Sequence, residues 1–314
     1  MSFEKMSQSG DRWLGWFIDF IPNQLLLAYF EMEESFPNLK EESEGFWVSS
    51  RENKVDYPPT GNDWCEIIEQ NSYWFRHRNH CILKVVKNFP PDELLYDIGG
   101  GNGTVAQFLK LNGIDVAVVE PGRPGAQNAY NKGIRPVFCS SIEDVGFREK
   151  SLSAIGLFDV LEHVENETVF LKFLSRKLKT RGKLFITVPA LPILWSDEDE
   201  YARHRRRYTL NSLKKVLENS GFHVLFERYI FFSLTFPVFL FRALPKLCMI
   251  KKHPTLNQEI DVHQTPKGVL GRLLTRVLNI ELKFLMSMRF PFGTSCLVVG
   301  EVPNTTISMS IWDH

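Results

Sequence analysis

The chain has no surplus of either charge: 37 Lys and Arg stand against 37 Asp and Glu. Polyanions are gripped through surplus cations, so nucleic acid is not an expected partner. Cysteine is sparse. Cys65, Cys81, Cys139, Cys248 and Cys296 are odd in number and scattered, and none forms a C-x-x-C pair. That argues against a disulfide scaffold and a zinc site, so no metal is expected and the thiols read as reduced. Long apolar runs are missing too. Residues 15–27 are interrupted by Asp19, Pro22 and Asn23, and residues 229–250 by Pro237, Arg242, Pro245 and Lys246. A membrane-crossing helix needs about 20 predominantly apolar residues, and the N-terminus has no signal-peptide pattern. The expected location is cytoplasmic, with a peripheral contact at the inner membrane left open.

Glycine is present where it carries most meaning. Tyr96-Asp97-Ile98-Gly99-Gly100-Gly101-Asn102-Gly103-Thr104 follows an apolar pair, Leu94-Leu95, and precedes the helical spacing of Val105, Phe108 and Leu109. It reads as a strand-to-helix turn in which Gly99, Gly101 and Gly103 let a ligand approach the backbone, since no Cβ intervenes. A second strand over 115–119 ends at Glu120. A carboxylate there can accept both hydroxyls of a ribose. Thr104 occupies the third glycine position of the dinucleotide fingerprint, which weighs against a nicotinamide-dependent oxidoreductase.

From Leu94 onward strands and helices alternate. Strands are expected at 94–98, 116–119, 136–139, 153–158, 183–188 and 223–228. Asn166 is expected to cap a helix over 166–179, and Thr209 one whose apolar face is Leu210, Leu213, Val216 and Leu217. Such alternation implies a parallel α/β sheet with ligands at the carboxyl ends of its strands. The boundaries read as an aromatic-rich N-terminal extension (1–70), a core (71–229), a helical insertion (230–292) and a last strand with tail (293–314).

The D-x-G-x-G-x-G spacing of residues 97–103, with Glu120, resembles the nucleoside-binding turn of class I S-adenosylmethionine (SAM)-dependent methyltransferases. Asp159-Val160-Leu161-Glu162-His163-Val164 is similar to the fourth-strand segment of small-molecule and ubiquinone-type O-methyltransferases. His204-Arg205-Arg206-Arg207-Tyr208 resembles an H-x-R-R-Y segment seen after the fifth strand of many bacterial members. Tyr73-Trp74-Phe75-Arg76-His77-Arg78 resembles an F-W-F-R-x-R segment preceding the core. Neither the N/D-P-P-Y/F motif of amino-directed DNA methyltransferases nor a Pro-Cys nucleophile pair is present in the matching segment.

The resemblance implies a Rossmann-like, doubly wound, seven-stranded sheet of order 3-2-1-4-5-7-6 with an antiparallel last strand, and SAM as donor, released as S-adenosylhomocysteine. It assigns Asp97, Gly99, Gly100, Gly101, Gly103 and Glu120 to the donor. Ser141, Ile142 and Glu143 would lie at the adenine, Asp159 beside the methylthio group, and Arg78 at the donor's carboxylate. His163 and His204 are the base candidates, with Glu162 a weaker one. Each has a plainer reading: a turn carboxylate for Asp97, a polar loop for 140–145, a helix-start histidine for His163, a self-pairing charge run for 197–208 and a surface helix for 73–79. The implied reaction moves a methyl group to an oxygen or nitrogen of a small-molecule or lipid- or sugar-linked acceptor. A SAM-binding protein without catalysis is the other reading.

The insertion joins a Phe- and Leu-rich run to Val269, Leu270, Leu273, Leu274, Val277, Leu278, Leu282 and Leu285 at helical spacing, with Arg272, Arg276 and Lys283 among them. It is expected to be a helical cover on the acceptor side that meets a membrane surface or a second copy of the chain.

Overall fold

The computed structural model describes residues 36, 38–51, 72–248 and 268–304. Most of the aromatic-rich N-terminal extension, residues 1–35 and 52–70, lies outside the described residues.

One sheet organises the molecule. Its strands, in chain order, are β1 (Leu39–Ser43), β2 (Phe46–Ser49), β3 (Leu95–Ile98), β4 (Val116–Val119), β5 (Val137–Cys139), β6 (Leu152–Phe158), β7 (Leu178–Pro189), β8 (His223–Ile230) and β9 (Ser295–Glu301). They lie in the order β1-β2-β5-β4-β3-β6-β7-β9-β8. The seven strands from β3 onward follow the expected 3-2-1-4-5-7-6 order, and β9 is antiparallel to both β7 and β8. Among the described residues the sheet nonetheless has nine strands, not seven. A hairpin from the N-terminal extension adds β2 parallel to β5, with Phe46 opposite Val137. Phe46 and Trp47 are buried in its two faces' cores, and Arg123 donates to Glu42 at 2.6 Å across the added edge. Extending the sheet covers an edge that would otherwise present unpaired backbone groups.

The central strands are buried on both faces, which is why β4 is apolar throughout and β6 carries one polar side chain, Ser153. On one face lie α1 (Tyr73–Asn88), α2 (Thr104–Leu111), α3 (Arg123–Asn131) and α8 (Gly268–Phe284). On the other lie α5 (Glu167–Lys177) and α7 (Leu210–Asn219), while the single turn α4 (Ile142–Val145) follows β5. Local signals set several ends. Asn166 caps α5 by accepting from Val169 N at 3.1 Å, and Thr209 caps α7 by accepting from Ser212 N at 3.0 Å. The fifth core strand begins at Leu178, earlier than its apolar run, because Leu178 pairs with Leu152 before the ladder resumes at Lys183. Gly182 lies within β7.

At the carboxyl edge, β7 leads into a loop bearing the short helix α6 (Asp197–Tyr201), and β8 leads through Phe231 into a helical run over 232–247. Two facing ion-pair sets join these segments: Arg242 with Glu198 at 2.6 Å, and Lys246 with Asp197 and Glu200 at 2.6 and 2.8 Å.

Candidate active site

The glycine turn lies between β3 and α2, at the carboxyl edge. Gly99, Gly101 and Gly103 all have positive φ, at 70°, 51° and 70°. At Gly99 and Gly103 the reason is also packing. A Cβ would come within 2.9 Å of Val160 and 2.7 Å of Ala129. At Gly101 a Cβ would meet no protein atom within 4 Å, so that glycine faces open space, where a ligand would lie.

Glu120 closes the turn from the β4 side. Its Oε2 accepts from Gly101 N at 2.9 Å and its Oε1 from Gly122 N at 2.7 Å. Each carboxylate oxygen has a second lone pair, so the group can hold the turn and still accept from a ribose. Burial raises its pKa above the usual carboxylate value, against the opposing bonds from Gly122 and Gly101. Asp97 is buried at the end of β3, and a Cβ on Gly100 would lie 3.0 Å from its Oδ2.

The loop after β5 has a different division of labour. Ser141 is the N-cap of α4: its Oγ accepts from Asp144 N at 3.3 Å and donates to Asp144 Oδ2 at 3.0 Å. Ile142 is buried in the core with Phe138 and Phe147, and Glu143 is exposed.

Arg78 and Asp159 meet. Asp159 follows β6 in a left-handed conformation, φ 59°. Its Oδ2 accepts from Arg78 Nη1, and its Oδ1 accepts from Thr187 Oγ1 at 2.9 Å. Arg78 is almost fully buried and its Nε has no hydrogen-bond partner. An arginine so placed, with donors in a fixed fork, is built for carboxylates. Thr187 was not recognisable from sequence, since a threonine in a buried strand carries no motif.

Beyond Asp159 the histidines come together. The rings of His163 and His204 are 5.0 Å apart and edge to face. His204 Nδ1 donates to Asp199 Oδ1 at 2.8 Å, which directs Nε2 toward Glu162 Oε1, 3.9 Å away. Asp199 is 1 % exposed and also accepts from Arg207 Nε and from Ser196 N, both at 2.8 Å. Burial would raise its pKa, but the bonds from His204, Arg207 and Ser196 prevail and hold it below the usual value. Glu162 is the opposite case. It is fully buried, neither carboxylate oxygen has a hydrogen-bond partner, and burial, with Asp159 nearby, drives its pKa well up. The donor atoms of Glu162, His163 and His204 lie within 4.8 Å of one another.

The 197–208 segment pairs partly with itself, through Asp199 with His204 and Arg207, and its arginines also reach beyond it. Arg205 Nε donates to His163 O at 3.0 Å, and Arg206 bonds Glu167 at 2.7 Å and Val164 O at 3.0 Å. Tyr208 is buried and its hydroxyl donates to Glu167. The basic run thus fastens His204 over the end of β6. Asp199, its orienting partner, was hidden in the sequence inside a run of four acids.

A methyltransferase-domain family model matches residues 70–226, half of the chain. Among solved structures, the chain found in complex with the Haloferax volcanii Trm112 methyltransferase activator is 16 % identical; the match covers 80 % of this chain and 100 % of that one, with a TM-score of 0.52. Haemonchus contortus phosphoethanolamine N-methyltransferase 2, solved with SAM, is also 16 % identical, with coverage of 80 % and 59 % and a TM-score of 0.50. The chain therefore spans 59 % of that longer relative. No curated protein matches. The family match, the fold and the glycine turn closed by an acidic strand end agree: the chain belongs to the methyltransferase-domain family, as a class I SAM-dependent methyltransferase.

Proposed function

We propose that the protein transfers the methyl group of SAM to a hydroxyl or amine of a small-molecule or lipid- or sugar-linked acceptor, with His204 taking the acceptor's proton. The observation that carries this reading is the Asp199–His204 bond of 2.8 Å, which leaves Nε2 directed toward Glu162 Oε1, just past the end of β6. The donor's sulfonium is already a good leaving group. The protein's task is to hold the acceptor in line with the methyl carbon, which can supply on the order of 7–11 kcal/mol of the barrier.

In this reading Gly101 and Glu120 hold the nucleoside, Asp97 and Arg78 meet the amino-acid end, and the backbone amides of 141–143 meet the adenine. As the acceptor oxygen or nitrogen bonds to the methyl carbon, the carbon–sulfur bond breaks and the acceptor's proton passes to His204 Nε2. Asp199 stabilises the imidazolium so formed. Histidine is the side chain most often used as a general base. His163 lines the same space and orients the acceptor.

The test uses labelled SAM with fractionated small-molecule and lipid extracts, following S-adenosylhomocysteine release. His204→Asn should lower turnover far more than SAM affinity. Full turnover in His163→Asn, His204→Asn and the double variant would overturn the base assignment. Absence of labelled product from every fraction, with SAM still bound, would favour a binding protein. Thermal shift with SAM but none with NAD separates the donor site from a nicotinamide site.

A further inference from the structure

Helix α8 carries two apolar faces, and only one is covered. Gly271, Leu278 and Glu281 are buried, with Leu274 and Leu282 packed toward α1 and the sheet. Val269, Leu273, Ile280 and Phe284 fall on a second stripe and are 74 %, 56 %, 57 % and 38 % exposed. At about 100° per residue that stripe points away from the core. Arg272, Arg276 and Lys283, all exposed, run along one border of it. The run over 232–247 repeats the pattern at the carboxyl edge, with Phe236 and Phe241 exposed. Of the fifteen large hydrophobic side chains exposed among the described residues, eleven fall between Phe236 and Phe292. Single exposed apolar side chains are ordinary, but a concentration of them marks an interaction surface.

The charge of this surface selects its occupant. In α8 the only acidic residue is Glu281, which is buried, and α1 has no acidic residue at all. A shallow cleft between the two helices is lined by Lys84, Lys87 and Lys283. In a chain of zero net charge this is a local cationic face. An antiparallel two-fold dimer through the stripe would bring the same cations against their own copies. An anionic lipid surface presents phosphates to the cations and an acyl boundary to the apolar stripe.

We infer that α8, with the exposed part of 232–247, docks the protein on anionic lipid bilayers. Docking places the carboxyl edge of the sheet at the lipid surface, since the 232–247 run is ion-paired to the α6 loop that holds Asp199. No described helix is long and apolar enough to cross a membrane, so the contact is interfacial.

The experiment is flotation of the full chain with phosphatidylcholine vesicles, with and without phosphatidylglycerol. The wild type should float with anionic vesicles and be released by raised salt. Arg272→Gln with Arg276→Gln should weaken anionic-vesicle binding roughly 30-fold, at about one kcal/mol per cation. Leu273→Asn with Ile280→Asn should also lose binding, because the apolar half of the contact is gone. All variants should keep the wild-type thermal shift with SAM, which shows that they fold and keeps this inference separate from methyl transfer. Failure of the wild type to float with either vesicle would overturn it. So would unchanged binding in both double variants, or a stable solution dimer that protects the α8 stripe.

Discussion

Arg78 of α1 and Asp159, just past β6, form an ion pair across 81 positions of sequence. The pair joins the helix before the nucleotide-binding core to the strand end where the methyl group would sit. Thr187 on the neighbouring strand holds the other oxygen of Asp159. Arg78→Ala leaves a carboxylate with one bond where it had two, and should cost about 1–3 kcal/mol of stability. It should also weaken SAM binding. Arg78→Lys should recover part of the stability but little of the affinity, because an ammonium lacks the two-point fork. Chemical denaturation and calorimetry on the two variants check this.

Gly101 separates ligand contact from packing. Gly101→Val introduces a side chain into open space at a left-handed position, so its folding cost should be the backbone term of about 1–2 kcal/mol. SAM affinity should fall by roughly 10–100-fold, as expected of overpacking a contact. Gly113 is the control. It also has positive φ, 84°, and a Cβ there would meet nothing within 4 Å. Gly113→Val should lose similar stability and keep SAM affinity unchanged. Equal affinity in the two variants would remove Gly101 from the site.

Glu120 gives a pH signature. Its pKa is raised by burial, against the bonds from Gly122 and Gly101. A carboxyl whose folded value lies above its unfolded value stabilises the fold most when protonated. Its contribution therefore declines as pH rises from about 4.5, the unfolded value, through the folded one. Ribose binding needs the carboxylate. SAM affinity should accordingly fall on acidification at a higher pH than an exposed carboxylate would give. Glu120→Gln should bind SAM weakly and abolish that pH step in calorimetric titrations.

Asp199→Asn tests the orientation of His204. The substitution removes a buried anion that accepts from His204, Arg207 and Ser196, and should cost about 3 kcal/mol or more. Asp199 has a lowered pKa, so its stabilisation is present above the unfolded value of 3.8 and is lost as pH falls below it. Turnover should drop by about 10²–10⁴-fold if His204 is the base. Nitrogen NMR of the His204 ring should show its tautomer preference lost, a change that a merely structural role would not require.

Elements whose information is local could be read from neighbouring residues alone. The glycine turn needs three left-handed positions within five residues, so D-x-G-x-G-x-G could be read directly. Strand and helix alternation placed the core strands, and Asn166 and Thr209 marked helix starts through single side-chain bonds. Tertiary structure decided everything that joins distant segments. The β1–β2 hairpin was not legible, because Leu39–Ser43 alternates weakly and becomes a strand only by pairing at an existing sheet edge. Arg78 and Asp159 were each singled out, but their union depends on how α1 crosses the sheet. His204 carried a motif, whereas its partner Asp199 was one acid among four until the fold buried it and left Asp197, Glu198 and Glu200 to the cations of the 232–247 run. Local geometry is encoded in neighbouring residues; partnership between side chains is set only when packing brings them within bonding distance.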